Sequence, residues 1–206
     1  MAEKNNSNKI ITITLAVIIC LAVAVIIYVN LPTKEEKTSD QGESGGKTNN
    51  TQTNDSEKVL TIIYGDEQIN YTMDEIKSMT PYTSVGAKIN KKFTITGPYH
   101  YTGVKISTFL ADFTDLPSKY SLVATSSDGY IQSYTYDQVQ GTVELLNETR
   151  ASLGNGSLTM IVAYMQENEE ISDSEDGPLM IIFIDDYYTD SALWAKMVVS
   201  IEIVEE

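Results

Sequence analysis

Apolar residues form one long run near the start of the sequence and several short runs after residue 58. The long run, residues 10–29, carries no charged side chain, and about 20 such residues span a bilayer as a helix. It continues beyond the small-residue triplet at 22–24, which argues against cleavage as a signal peptide. The pattern predicts an uncleaved single-pass anchor in the cell membrane, with residues 1–9 as a cytoplasmic tail and the C-terminal part outside.

The segment between this anchor and the first short apolar run is polar. No apolar residue lies between Pro32 and Val59. Such a composition cannot bury enough surface to offset the entropy that ordering would cost. We therefore predict a disordered tether over residues 30–57 and one folded extracytoplasmic domain over residues 58–206.

The short apolar runs of the domain have the length and composition of strands. Predicted strands cover residues 59–64, 68–71, 92–96, 122–125, 130–136, 158–164, 179–184 and 197–203. Two helices are predicted, over residues 72–79, where Thr72 and Glu75 form a capping box, and over residues 106–112. Residues 83–90 and 99–103 are predicted loops. Since strands outnumber helices and no βαβ rhythm repeats, we predict an α+β domain with mixed or antiparallel sheets and short helices, preceded by the transmembrane helix.

The strand at 122–125 leads into a polar turn at the centre of the domain. Ser126, Ser127, Asp128 and Gly129 favour a tight turn, and an extended run resumes at Tyr130. Two interpretations remain open. The turn is either an ordinary hairpin connection or one wall of a pocket, because loops on a rigid scaffold often carry binding residues.

The composition excludes several classes of function. A net charge of −15 and a single Arg, Arg150, are unsuited to nucleic acid. Cys20 and His100 are the only Cys and the only His. An intrachain disulfide, a thiolate-ligated metal and a Cys–His nucleophilic pair are therefore excluded from the domain.

Four segments, in this order, resemble the motifs of a known family. They are Tyr101-Thr-Gly-Val-Lys-Ile-Ser-Thr-Phe-Leu, Ser127-Asp-Gly-Tyr, Glu175-Asp-Gly-Pro-Leu-Met-Ile and Trp194-Ala-Lys-Met-Val-Val-Ser-Ile-Glu-Ile. Their order resembles the oxidoreductase molybdopterin-binding domain family, whose fold is seen in sulfite oxidase, over most of residues 58–203. The resemblance implies that fold, a molybdopterin cofactor and an oxidoreductase activity.

Two departures from that family bear on function. The domain has no Cys to bind molybdenum, and Met180 stands where the family has an Arg at the start of a strand. The acidic balance also disfavours a phosphorylated cofactor, although the lysines between Lys88 and Lys92 offset it locally. We therefore predict a membrane-anchored accessory module that binds a small molecule or a partner protein. The alternative is an oxidoreductase that holds a molybdopterin cofactor without a Cys ligand.

If the pocket of the family is retained, three parts of the chain are expected to meet there. The candidate residues are His100, Ser126, Ser127, Asp128, Gly129, Tyr130, Asp176 and Gly177. No catalytic residue and no metal ligand is assigned among them. For His100, a half-buried loop position between aromatic neighbours is the simpler interpretation.

Two acidic clusters and the only Trp complete the sequence-based predictions. The loop 166–176 has carboxylates that suit Ca²⁺ in an adhesion domain, but it lacks EF-hand spacing, and a solvated acidic face explains it as well. The acidic residues from Asp185 onward follow the end of a predicted buried strand. Either a bound ligand or simple turn chemistry would explain their position there.

Trp194 is predicted to be buried against the apolar strands around Ile161 and Ile182.

Overall fold

The computed structural model describes residues 57–174, 176–185 and 187–206. The predicted cytoplasmic tail, the predicted anchor and nearly all of the predicted tether lie outside these residues. Among the described residues, no helix is long and apolar enough to cross a membrane.

Most ordered elements in this part of the chain are strands. Their bounds are β1 Lys58–Tyr64, β2 Glu67–Thr72, β3 Tyr82–Ile89, β4 Ile95–Lys105, β5 Tyr120–Ser126, β6 Ile131–Tyr134, β7 Thr142–Leu146, β8 Ser152–Ser157, β9 Thr159–Gln166, β10 Glu169–Glu170, β11 Met180–Ile184, β12 Tyr188–Asp190 and β13 Val198–Glu205. The helices are α1 Met73–Ser78, α2 Ile106–Leu110 and α3 Tyr136–Val139, with a 3-10 turn at Ser191–Leu193.

The strands form two mixed sheets. The first has the order β2-β1-β13-β5-β6, in which β1 and β13 are parallel and the other neighbours are antiparallel. The second has the order β10-β9-β4-β3-β12-β7-β8, with β11 added beside β9. Its only parallel pair among the described strands is β3 with β12. The C-terminal strand β13 therefore lies in the middle of the first sheet.

The prediction of an α+β domain is wrong, because the described domain is mostly β-sheet and its helices span only four to six residues. The predicted loops at 83–90 and 99–103 belong to β3 and β4, which pair with each other. Residues 83–90 carry no strong local strand signal, and the glycines of both segments permit close packing inside the sheet. A Cβ on Gly103 would lie 2.3 Å from the carbonyl oxygen of Val162, and one on Gly86 would lie 2.8 Å from the Ile184 side chain.

Both predicted helices form, although they are short. In α1, the Thr72 hydroxyl accepts a hydrogen bond from the Glu75 amide (3.3 Å), and the Glu75 carboxylate accepts one from the Thr72 amide (2.7 Å). This confirms the predicted capping box. Helix α2 ends earlier than predicted, but Phe109 and Leu110 are buried as its helical spacing requires.

The core continues on both faces of the second sheet. In β11, Ile181 and Phe183 belong to the large cluster that includes the first sheet, whereas Ile182 and Ile184 belong to a second cluster with Trp194. Near-continuous apolar strands are covered on both faces in this way. The predicted burial of Trp194 with Ile161 and Ile182 is confirmed, since all three are in the second cluster.

The predicted hairpin at the centre of the sequence is confirmed by the antiparallel pairing of β5 with β6. Its second strand is shorter than predicted, because Tyr136 begins α3. Tyr134 is fully buried, as expected of a packing residue. Ile131, an apolar residue of the same strand that would also be expected to pack, is instead 60% exposed.

Candidate functional site

The segment Lys196–Met197 holds together two of the loops that the sequence singled out. The Met197 amide donates to the Asp176 carbonyl (2.7 Å), and the Met197 carbonyl accepts from the Ser127 amide (2.8 Å). The Ser126 hydroxyl donates to the Lys196 carbonyl at 2.5 Å and is itself buried. The hairpin turn and the loop at 176–177 are therefore neighbours, each bonded to the same short segment before β13.

Gly177 is needed for this arrangement. Its φ is +73°, and a Cβ on it would lie 2.5 Å from the Met197 Cα. Backbone atoms cannot move aside as the end of a flexible side chain can. The close approach of the two chains therefore requires glycine at this position.

Two lysines and a carboxylate lie beside the joined loops. Lys196 Nζ forms an ion pair with Asp176 Oδ1. Lys88 Nζ lies 4.7 Å from the ring centroid of Trp194, in cation–π geometry. The pKa of Lys88 is lowered to about 8, chiefly by burial and also by the charge of Lys196, while the charge of Asp176 opposes both effects. The side chains of Lys88, Trp194, Lys196 and Asp176 are called the lysine site below.

Aromatic rings form one wall of the lysine site. Tyr101 meets Trp194 edge to face at a centroid distance of 5.4 Å, and Tyr99 meets Tyr101 at 6.5 Å. The Trp194 indole N–H donates to the buried hydroxyl of Thr189 at 2.8 Å, which fixes the ring. Burial raises the pKa of Tyr101, and the Asp176 and Tyr99 charges raise it further, so Tyr101 is a neutral hydroxyl at physiological pH.

His100 is placed differently from the other candidate residues. Its amide donates to the Glu167 carboxylate at 2.6 Å, and its ring Nδ1 lies 3.7 Å from the same oxygen. The imidazole is 66% exposed. His100 therefore interacts with the start of the β9–β10 turn, and no hydrogen bond among the described residues joins it to the hairpin turn or the loop at 176–177.

The tip of the hairpin turn has local structural roles. The Asp128 carboxylate accepts from the Tyr130 amide at 3.0 Å, and Gly129 has a φ of +86° with no atom near the position of a Cβ. The Tyr130 ring is 47% exposed, and its hydroxyl donates to Gln132 at 2.9 Å. These three residues have the chemistry of an Asx turn.

The acidic clusters contain no preformed metal site within the described residues, in which no three His, Cys, Asp or Glu side chains come together. Asp185 accepts hydrogen bonds from the hydroxyls of Tyr82 (2.9 Å) and Thr159 (2.6 Å), one at each carboxylate oxygen. Those bonds fasten the end of β11 to β3 and β9. Asp186 and Glu175 lie outside the described residues.

A cavity of about 960 Å³ opens elsewhere, between β1, α1 and the segment after β10. Leu60, Met73, Tyr164, Ile171 and Val199 are among its apolar lining residues. The Lys77–Glu170 ion pair, at 2.5 Å, lies at its edge. None of the eight candidate residues is among the described residues that line it.

From the sequence, Lys88 was noted only as part of a local basic patch, and Trp194 only as a core residue and as the start of the fourth family-like segment. The presence of Trp194 and Lys196 in that segment was the one available signal for the lysine site. Nothing local marks Lys88, because its burial depends on Trp194, which is far away in the sequence.

The site does not fit a thiolate-bound molybdenum centre. The described residues offer no thiolate, and the Asp176 carboxylate is already paired with Lys196. Met180, which stands in place of the Arg of the family, is 1% exposed within the second apolar cluster and therefore contacts no ligand.

No protein-family model and no curated protein matches the chain. The fold is similar to a solved structure, that of the sulfane dehydrogenase SoxCD from Paracoccus pantotrophus, with a TM-score of 0.52 and 14% sequence identity. The match covers 71% of this chain but only 38% of that chain, so the present chain spans well under two thirds of its neighbour. At this identity the likeness extends to the fold alone: the domain has a distant likeness to part of a dehydrogenase.

Proposed function

We propose that this chain is a membrane-anchored accessory module whose folded domain lies outside the cell and binds a small anionic molecule at the lysine site. Residues 10–29 anchor it, and residues 30–57 tether the domain. The four ordered motifs and the fold likeness support a domain of the molybdopterin-binding type. The absence of a thiolate ligand among the described residues supports a module that has no Cys-bound molybdenum.

The observation that carries the proposal is the state of Lys88. Its ammonium is partly buried, and no ion pair within the described part of the chain involves it. A partly buried charge without an ion-pair partner is unfavourable, and the lowered pKa is a measure of that cost, which the Asp176 carboxylate offsets only in part. An anion placed between Lys88 and Lys196 would remove the cost, and Trp194 and Tyr101 would border it on one side. Perturbed groups of this kind are concentrated at functional sites.

Trp194 gives a direct readout, since it is the only Trp and lies next to Lys88. Phosphate and sulfate, added to the purified chain at pH 7, are expected to change its emission, whereas chloride at equal ionic strength is not. Lys88→Met should weaken anion binding about tenfold or more, because it removes a charged hydrogen-bond donor. Lys105→Met is the matched control, since Lys105 lies on the same hairpin but over Tyr82, at 4.1 Å.

Two results would contradict the proposal. One is equal anion binding by the parent chain and Lys88→Met. The other is stoichiometric molybdenum or tungsten with a pterin in the purified protein, which would favour the oxidoreductase alternative.

A further inference from the structure

The β3–β4 hairpin ends in a tightly bonded tip, residues 90–95, which presents an aromatic ring to solvent. The side-chain oxygen of Asn90 accepts from the amides of Lys92 (2.8 Å) and Thr94 (3.0 Å). The Asn90 backbone is also bonded to Thr94 (3.0 Å) and to Phe93 (2.9 Å). Residues 90–95 are called the Phe93 tip below.

Phe93 has an unfavourable conformation that the hydrogen-bonded turn around it imposes. Its φ is +63°, in the left-handed region that bulky residues rarely adopt, and its side chain is 65% exposed. Ile95, in the same tip, is 38% exposed. The turn therefore holds two apolar side chains exposed to solvent at the end of the hairpin, instead of packing them against the domain.

The charges around the tip are opposite in sign to those of the whole chain. The chain has a net charge of −15, yet residues 76–111 contain no Asp or Glu and include Lys77, Lys88, Lys91, Lys92 and Lys105. Asp190, which is in register with Ile89 next to the tip, is ion-paired with Arg150. The hairpin therefore concentrates positive charge, and Lys91 and Lys92 flank the exposed ring.

We propose that the Phe93 tip docks on the surface of an anionic lipid bilayer, with Phe93 and Ile95 in the interfacial layer and Lys91 and Lys92 among the headgroups. Exposed aromatic and aliphatic groups next to lysines are the side chains that bind this interface. A fluid apolar layer closes around a single projecting ring, whereas a protein partner would need a pocket shaped for it. The rest of the acidic domain is repelled by such a surface, so the tip also sets the orientation of the domain.

The inference rests on the proposed anchor, which brings a bilayer within reach. A random coil of the length proposed for the tether, residues 30–57, would have a dimension on the order of 30 Å, which keeps the domain close to the bilayer. An anchored domain needs only weak docking, because the tether keeps its local concentration high.

The test uses the full chain in a Cys20→Ser background, with an environment-sensitive fluorophore attached at Thr94→Cys. The chain is reconstituted into vesicles of phosphatidylcholine alone or of phosphatidylcholine with phosphatidylglycerol. We expect a blue shift of the label only on the anionic vesicles, and its loss at high salt. The matched control is a label at Leu153→Cys, an exposed apolar position (56%) in the β8 strand, which should not shift.

Substitutions in the Phe93 tip then separate the electrostatic contribution of its lysines from the apolar contribution of the Phe93 ring. Lys91→Gln and Lys92→Gln should each lower the ratio of docked to undocked domain about fivefold, since a basic residue near an anionic surface contributes about 1 kcal/mol. Phe93→Asn, which fits the left-handed conformation, should also lose the shift while the Trp194 emission stays that of the folded parent.

Flotation of the chain with vesicles reports on the anchor separately. A chain that does not float disproves the anchor, and the tip is then tested by adding the same vesicles to the chain in solution. A label that stays water-exposed on anionic vesicles, or that shifts equally on neutral ones, overturns the assignment. In the first case, an acidic protein surface would be the remaining class of partner.

Discussion

Lys88 Nζ lies 4.7 Å from the ring centroid of Trp194, and these two residues come from distant parts of the sequence. The indole supplies both the burial that lowers the lysine pKa and the ring face that receives its charge. Lys196, two residues after Trp194, adds a second cation, and Asp176 pairs with it. A change at Lys88 should therefore affect stability as a function of pH.

Lys88→Met should stabilise the protein at pH 7 and have little effect near pH 10.5. The folded pKa, about 8, is below the ordinary lysine value, so between these two pH values the unfolded chain binds more protons than the folded one. The free-energy cost of holding the protonated Lys88 side chain in its partly buried position is thus fully present below pH 8 and disappears as the pH rises towards 10.5. Denaturant unfolding of parent and variant should differ by about 1–2 kcal/mol at pH 7, after allowance for solvent screening. A difference that does not vary with pH would contradict this account.

Trp194→Ala should lower the free energy of unfolding by about 3–5 kcal/mol, because it removes a buried indole between Tyr101 and the strands β9 and β11. Trp194→Phe keeps an aromatic ring but leaves the buried Thr189 hydroxyl without its donor, at a cost of about 1–3 kcal/mol. Thermal and urea unfolding measure both. A parent emission maximum typical of a water-exposed indole would show that the packing is wrong.

Gly177→Ala and Gly129→Ala form a matched pair. Both glycines have positive φ, but only Gly177 faces backbone atoms at the position of a new Cβ, 2.5 Å from the Met197 Cα. Gly129→Ala should cost about 1 kcal/mol from conformational strain alone. Gly177→Ala should cost clearly more and should also weaken anion binding, because it separates the two loops. Equal unfolding free energies for the two variants would argue against the joined loops.

Removal of residues 1–55 should leave a soluble, folded domain. The described strands and helices begin at Lys58, and the predicted anchor and tether share no apolar pattern with the domain. Cooperative thermal unfolding and a well-dispersed NMR spectrum would be the expected results. An insoluble or molten fragment would show that the domain boundary is misplaced.

The sequence predicted those elements whose signal is local. The apolar runs 158–164 and 179–184 correspond to β9 and β11, because a continuous apolar run predicts a strand from the local sequence alone. The capping box at Thr72 depends only on residues close to it in the sequence. Strand β3 was predicted as a loop and β4 was predicted only in part. Gly86 and Gly103 allow close contacts with β11 and β9, and these contacts leave no local signal in the sequence. The lysine site was missed for the same reason. Of the three parts of the chain that were expected to meet, the structure brings two together. Ser126, Ser127, Asp176 and Gly177 lie against the segment Lys196–Met197, whereas the His100 amide bonds to Glu167.

The place of β13 in the first sheet has a consequence for the folding pathway. Strand β13 lies between β1 and β5 and pairs in parallel with β1, with Thr61 opposite Ser200, and Met197, just before β13, joins the two loops of the lysine site. The first sheet and the lysine site are therefore completed only when two segments far apart in the sequence come together. Contacts that close such long loops form slowly, so we expect the sheet and the site to form together in a late step of folding.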